Sequence, residues 1–192
     1  VITLFKKLGI KEYSYYQLNR CYRTTIEIIN YANQIFKEKF PKKYKLPKAV
    51  LRHGEDIQFI KHSKIIENIE EEKILDLVNI INTEFKKGSV TCALICRDKK
   101  QADSAFNRLN KYKDSIERDI VDYSQQDYKT GLLILPIENA KGLEFDTVLI
   151  LDINKNTYPD DDLSLRLLYV AITRALHRLI IIENRNKSPL LI

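Results

Sequence analysis

Leu132-Leu133-Ile134-Leu135-Pro136-Ile137 and Thr147-Val148-Leu149-Ile150-Leu151-Asp152-Ile153 decide how this chain folds. The segment between them, Asn139-Ala140-Lys141-Gly142-Leu143-Glu144-Phe145-Asp146, is charged. Both apolar runs have strand length and little polar alternation, so each expects burial on two faces. Val90 to Cys96 and Leu179 to Ile182 repeat the pattern, and Ile57 to Lys61 is strand-like. Helical periodicity lies between them. Ile28, Ile29, Ala32, Ile35 and Phe36 fit a helix to about Lys39, and Ile65 to Lys87 a long amphipathic helix stopped by Gly88. Gln101 to Leu109 reads as a helix, and Leu163 to Leu176 as one apolar almost all round. Apolar strands separated by helices predict an open α/β domain, a mainly parallel sheet with helices on both faces.

The 192 residues suffice for one domain, and no linker or repeat divides them. The five glycines, Gly9, Gly54, Gly88, Gly131 and Gly142, are too dispersed for a phosphate-cradling G-x-x-x-x-G-K-[ST] or a G-x-G-x-x-G fingerprint. Methionine is absent even at position 1, which reads as a piece of a longer protein. No apolar run reaches membrane-spanning length, and Val1 to Ile10 lacks a signal peptide's features. Cys92 and Cys96 lie in an apolar run without a histidine nearby, so reduced buried thiols are expected rather than a metal site. That usage suits a cytoplasmic setting. The net charge of +6 is concentrated, with 14 Lys/Arg against 5 Asp/Glu in residues 1–64. Lys37, Lys39, Lys42, Lys43, Lys45 and Lys48 form either a solvated face or a surface for a polyanion.

Three polar interruptions carry the candidate chemistry. Tyr15 to Asn19 reads as a strand, and Tyr22 and Arg23 fall between it and a helix whose Thr24-x-x-Glu27 has capping-box spacing. Ligands of parallel sheets collect at the carboxyl ends of strands, where helix N–H groups favour anions. Arg23 therefore either meets an anion or pairs with a local acid, and Tyr22 either stacks on a ring or rims the core. Gly142, between Lys141 and Glu144, either admits a phosphate or sugar closely or makes an ordinary charged turn. Arg174 shares a helical stripe with Arg166 and Val170, with Arg178 beyond. Its head either snorkels into water or is held against transferring phosphate.

Taken in order, these segments resemble the late motifs of superfamily 1 helicases of the UvrD/Rep/PcrA type. Leu18 to Thr25 with Ile28 and Ala32-Asn33 is similar to motif IV, Ala140 to Asp146 to motif V, and Leu168 to Ala175 to motif VI. The resemblance spans residues 14–182 and implies the second, C-terminal RecA-like domain: a P-loop NTPase fold without its own P-loop, with residues 1–13 as the junction to the first domain. It implies ATP with Mg²⁺ in a cleft shared with an N-terminal P-loop domain, and single-stranded DNA as partner. Tyr22 would meet adenine, Arg23 and Arg174 the γ-phosphate, and Glu144 the ribose, with Gly142 allowing close approach. Arg97 and Lys141 would face nucleic acid.

Two departures bear on the branch. Only Lys111 to Thr130 occupies the place of a large insertion, and Pro136-Ile137-Glu138 stands where a DNA-holding Thr-x-His is usual. A carboxylate there repels a phosphate backbone. Both departures resemble the HelD branch, whose members act on RNA polymerase; a third reading is a non-catalytic interaction module.

Overall fold

The computed structural model describes residues 7–9, 20–39, 46–49, 52–61, 71–123, 130–183 and 186–192. The strand expected at 15–19, the lysines at 42, 43 and 45, and the first turns of the helix expected from Ile65 lie outside them.

Six parallel strands form the central sheet: β3 (Gln58–Lys61), β4 (Thr91–Cys96), β5 (Ile120–Asp122), β6 (Gly131–Pro136), β7 (Phe145–Ile153) and β8 (Ala175–Glu183). Their order is β3-β8-β7-β4-β6-β5. Two short strands, β1 (Arg20–Cys21) and β2 (Lys48–Ala49), pair in parallel apart from this sheet. Helices α1 (Ile26–Lys39) and α4 (Asp162–Ile172) cover one face, and α2 (Glu71–Lys86) and α3 (Lys99–Leu109) the other.

The apolar runs are buried on both sides, as their lack of alternation requires. Ala93, Ile95, Leu133, Leu135, Val148 and Ile150 pack toward α1 and α4, while Cys92, Leu94, Leu132, Ile134, Leu149 and Leu151 pack toward α2 and α3. Across α1 and α4, Phe36 meets Tyr169 edge to face at 5.0 Å between centroids. The Tyr169 phenol donates to Asn33, whose amide donates to the Pro47 carbonyl. Where β6 starts, Gly131 is obligatory: its φ is +101°, and a Cβ would lie 2.4 Å from the Asp119 carbonyl oxygen.

Several local expectations are corrected. The cap of α1 is Thr25, whose hydroxyl accepts from the Ile28 N–H at 3.5 Å, and Glu27 reaches outward instead of closing a capping box. The last helix ends at Ile172, so Arg174 follows it in a turn and Arg178 lies in β8. Nor is α4 buried all round, for Leu163 is 61% exposed. Among the described residues, no helix is long and apolar enough to cross a membrane.

Candidate functional site

Arg23, Glu144 and Arg174 meet at the amino edge of the sheet, not at its carboxyl edge as expected. Glu144 immediately precedes β7 and Arg174 immediately precedes β8, and these two strands run parallel as neighbours. The chain returns from the carboxyl end of β6 through a short 3-10 turn, Ile137–Ala140, before entering β7. Ile137 and Ala140 are buried, which holds the exposed Lys141 to Glu144 at that edge.

Arg23, on the segment between β1 and α1, places its Nε 2.6 Å from Glu144 Oε1. Arg174 is tied to backbone: its Nε donates to the Val170 carbonyl and its Nη1 to the Leu143 carbonyl, both at 3.1 Å. The Phe145 N–H donates to the Arg174 carbonyl, so the entries of β7 and β8 are locked together. Burial lowers the pKa of Arg174, the Arg23 cation lowers it further, and Glu144 opposes both. Two guanidinium groups thus lie within electrostatic reach of one carboxylate.

An open groove of about 680 Å³ runs beside this cluster, lined by Arg20, Cys21, Tyr22, Arg23, Pro47, Glu144 and Leu176. Tyr22 is 69% exposed, leaving a ring face free for stacking. Gly142 has φ +87°, and a Cβ there would meet nothing within 4 Å. That glycine serves the backbone turn, and open space lies around it. The arrangement suits a ligand with a flat ring at one end and concentrated negative charge at the other.

Arg97 is not brought to this cluster. It follows β4 at the opposite edge, where its Nε donates to the Thr157 carbonyl at 2.8 Å and its guanidinium lies 5.7 Å from the Tyr158 ring centroid. Lys141 is exposed beside Gly142. Arg178 is drawn into a structural network: its Nε lies 2.6 Å from the buried Glu84, and its Nη2 donates to the Ser89 hydroxyl at 2.6 Å. Arg166 is exposed and lies 4.0 Å from Asp162. Among the described residues, no group of three or more His, Cys, Asp or Glu could hold a metal ion.

Sequence reasoning missed the Arg52-His53-Gly54 segment. The Arg52 carbonyl accepts the Ile26 N–H at 2.9 Å. Glu27 receives the Gly54 N–H and meets His53 Nδ1, each at 2.8 Å. Burial opposes ionisation of Glu27, but hydrogen bonds from His53, its own N–H and the Gly54 N–H prevail and hold its pKa at about 2. Only the G-E-D turn signal of Gly54-Glu55-Asp56 marks this segment in the sequence.

The fold is an open α/β domain with a charged, grooved amino edge. Residues 131–182 match the family model described as the UvrD-like helicase C-terminal domain. Among solved structures, the chain is similar to the C-terminal domain of a possible DNA helicase from Lactobacillus plantarum WCFS1. The identity is 21% and the TM-score 0.64, over 88% of this chain and 91% of that one. No curated protein matches the chain. The shared fold is thereby shown, and the matched segment contains both Glu144 and Arg174.

Proposed function

We propose that this chain is the C-terminal motor domain of an ATP-dependent DNA helicase or translocase. It completes an ATP cleft with an N-terminal P-loop domain of the same protein, in a cytoplasmic setting. The observation that carries this is the meeting of Arg23 and Glu144 on a groove that also exposes Tyr22, with Arg174, from a third distant segment, within electrostatic reach of both. Tyr22 stacks on the base and Glu144 accepts from a ribose hydroxyl. Arg23 and Arg174 offset negative charge on the phosphates, and Gly142 keeps the loop free of a side chain. The phosphate cradle and the Mg²⁺ ligands fall to the P-loop domain. Hydrolysis of bound ATP supplies the driving force, and alternate closing and opening of the cleft moves the two domains along single-stranded DNA. The likeness to UvrD-like domains and to a possible DNA helicase supports this reading, and neither lends support to the HelD-type alternative.

The test is Arg174→Ala in the protein that carries both domains. Loss of an arginine that stabilises phosphoryl transfer lowers turnover by about 10³ to 10⁵, with ATP binding largely retained. Turnover like the wild type overturns the assignment.

A further inference from the structure

We infer that Arg52 is a positioning residue that sets Arg23 and Arg174 relative to each other, an inference that rests on the ATP-cleft reading above. One guanidinium nitrogen of Arg52, Nη2, donates to the Arg23 carbonyl and to the Leu176 carbonyl, both at 2.7 Å. The two acceptors belong to segments 29 and 124 residues away from it in sequence. Arg23 is itself a groove residue, and Leu176 both lines the groove and lies two positions after Arg174.

A feature of the sheet explains why such a bridge is needed. Between Phe145↔Ala175 and Thr147↔Arg178 the β7–β8 register shifts, so β8 carries one extra residue there. A bulge of this kind interrupts the ladder and turns local groups aside. Arg52 satisfies the Leu176 carbonyl at this irregularity with a charge-assisted bond. The rest of the segment is fixed to α1 by the Ile26–Arg52 backbone bond and the Glu27 clasp, and a Cβ on Gly54 would lie 2.5 Å from Thr25 Cγ2. Arg52 therefore stands on a segment hydrogen-bonded to α1 and holds two loops that each bear a candidate phosphate-facing arginine. Among the described residues it has no acidic partner, so its bonding is directed to those carbonyls.

The experiment compares Arg52→Ala, Arg52→Lys, Arg174→Ala and Asp98→Ala in the protein carrying both domains. Asp98→Ala removes the cap of α3 on the opposite face and serves as a control for lost stability. Arg52→Ala is expected to lower kcat at least tenfold with KM for ATP within threefold of the wild type, while Asp98→Ala leaves both unchanged. Lysine keeps a charged donor with several protons, but its nitrogen falls one atom short of both carbonyls, so Arg52→Lys gives an intermediate kcat. In the 192-residue chain alone, hydrogen exchange at residues 23–26 and 175–177 should quicken at least tenfold in Arg52→Ala but not in Asp98→Ala. Unchanged kcat, a change in KM alone, or unchanged exchange overturns the role of Arg52. If Arg52→Ala does not fold, Arg52→Lys carries the test, and wild-type kcat in it is the refuting result. If Arg174→Ala also turns over normally, the ATP-cleft reading fails; if only Arg174→Ala is inactive, the Arg52 inference fails alone.

Discussion

Replacing Glu27 by Gln tests whether the segment beneath the candidate site is held by charge. The Glu27 carboxylate has an ordinary pKa of 4.5 and is held at about 2 in the fold. By linkage, that difference sets an upper bound of roughly 3 kcal/mol on the stability it supplies at neutral pH. The His53 side chain is 79% exposed, so that contact is screened; about 1–2 kcal/mol is expected to survive. The sign follows from the lowered value. The contribution is full above pH 4.5 and is lost as pH falls toward 2. Glutamine still accepts from the Gly54 N–H but cannot titrate. In urea at pH 7, Glu27→Gln should unfold at a midpoint lower by about 0.5 M, given m near 2–3 kcal/mol/M for this size. The gap should narrow steadily between pH 5 and 2.5. A gap absent at pH 7, or constant down to pH 3, refutes the reasoning.

Gly131→Ala should cost about 3 kcal/mol or more, because it combines a strained φ with a clash against Asp119; urea unfolding measures it. Asp146→Ala should cost about 2–3 kcal/mol by the same assay, since one oxygen of Asp146 accepts from the Val90 and Thr91 N–H groups and the Thr91 hydroxyl. In native protein at pH 8 a thiol reagent should modify Cys21 promptly and spare Cys92 and Cys96. Both are buried, and burial pushes the Cys92 thiol up to about 12 and the Cys96 thiol higher. Glu144→Gln should strengthen binding of pyrophosphate to the chain by about fivefold, as expected from freeing a partly exposed Arg23 of its counter-charge; calorimetry at low salt reads it.

The parts of the fold legible in the sequence are those dictated by burial on two faces. Leu132 to Leu135 and Val148 to Leu151 have no polar position, and both runs are central strands. Local signals were less decisive where tertiary partners compete. Glu27 has the spacing to close a capping box, yet His53 and Gly54 offer stronger bonds, so Thr25 caps the helix alone. Apolar residues continue from α4 into β8, so periodicity alone ran the helix past Ile172; the turn at Thr173 is set by its hydroxyl bonding back to Tyr169 and Val170. Arg23 and Glu144 are readable as candidates from their place between expected elements, and Arg174 because it interrupts an apolar run. Their edge of the sheet is not, since that depends on the direction in which Ile137 to Glu144 returns. Arg52 was invisible because its partners are backbone carbonyls, which carry no residue signature.

That return segment also sets a limit on how the chain can vary in length. Pro136 is level with Cys96 and Thr147 with Cys92, so Phe145, two positions before Thr147, lies about six strand positions back from Pro136. At about 3.3 Å per position along the strand and about 10 Å across two strand spacings, the straight distance is about 22 Å. Within the return segment the 3-10 turn Ile137–Ala140 is followed at once by a second turn, closed by the Leu143 N–H donating to the Ala140 carbonyl at 3.2 Å with Gly142 at φ +87°. Two consecutive turns leave little slack, so removing one residue breaks one of them or draws the buried Ile137 or Ala140 from the core. Natural relatives that keep this edge are expected to conserve the spacing between Pro136 and Phe145 even where residues within it change, and to place their insertions in the Lys111 to Thr130 connection instead.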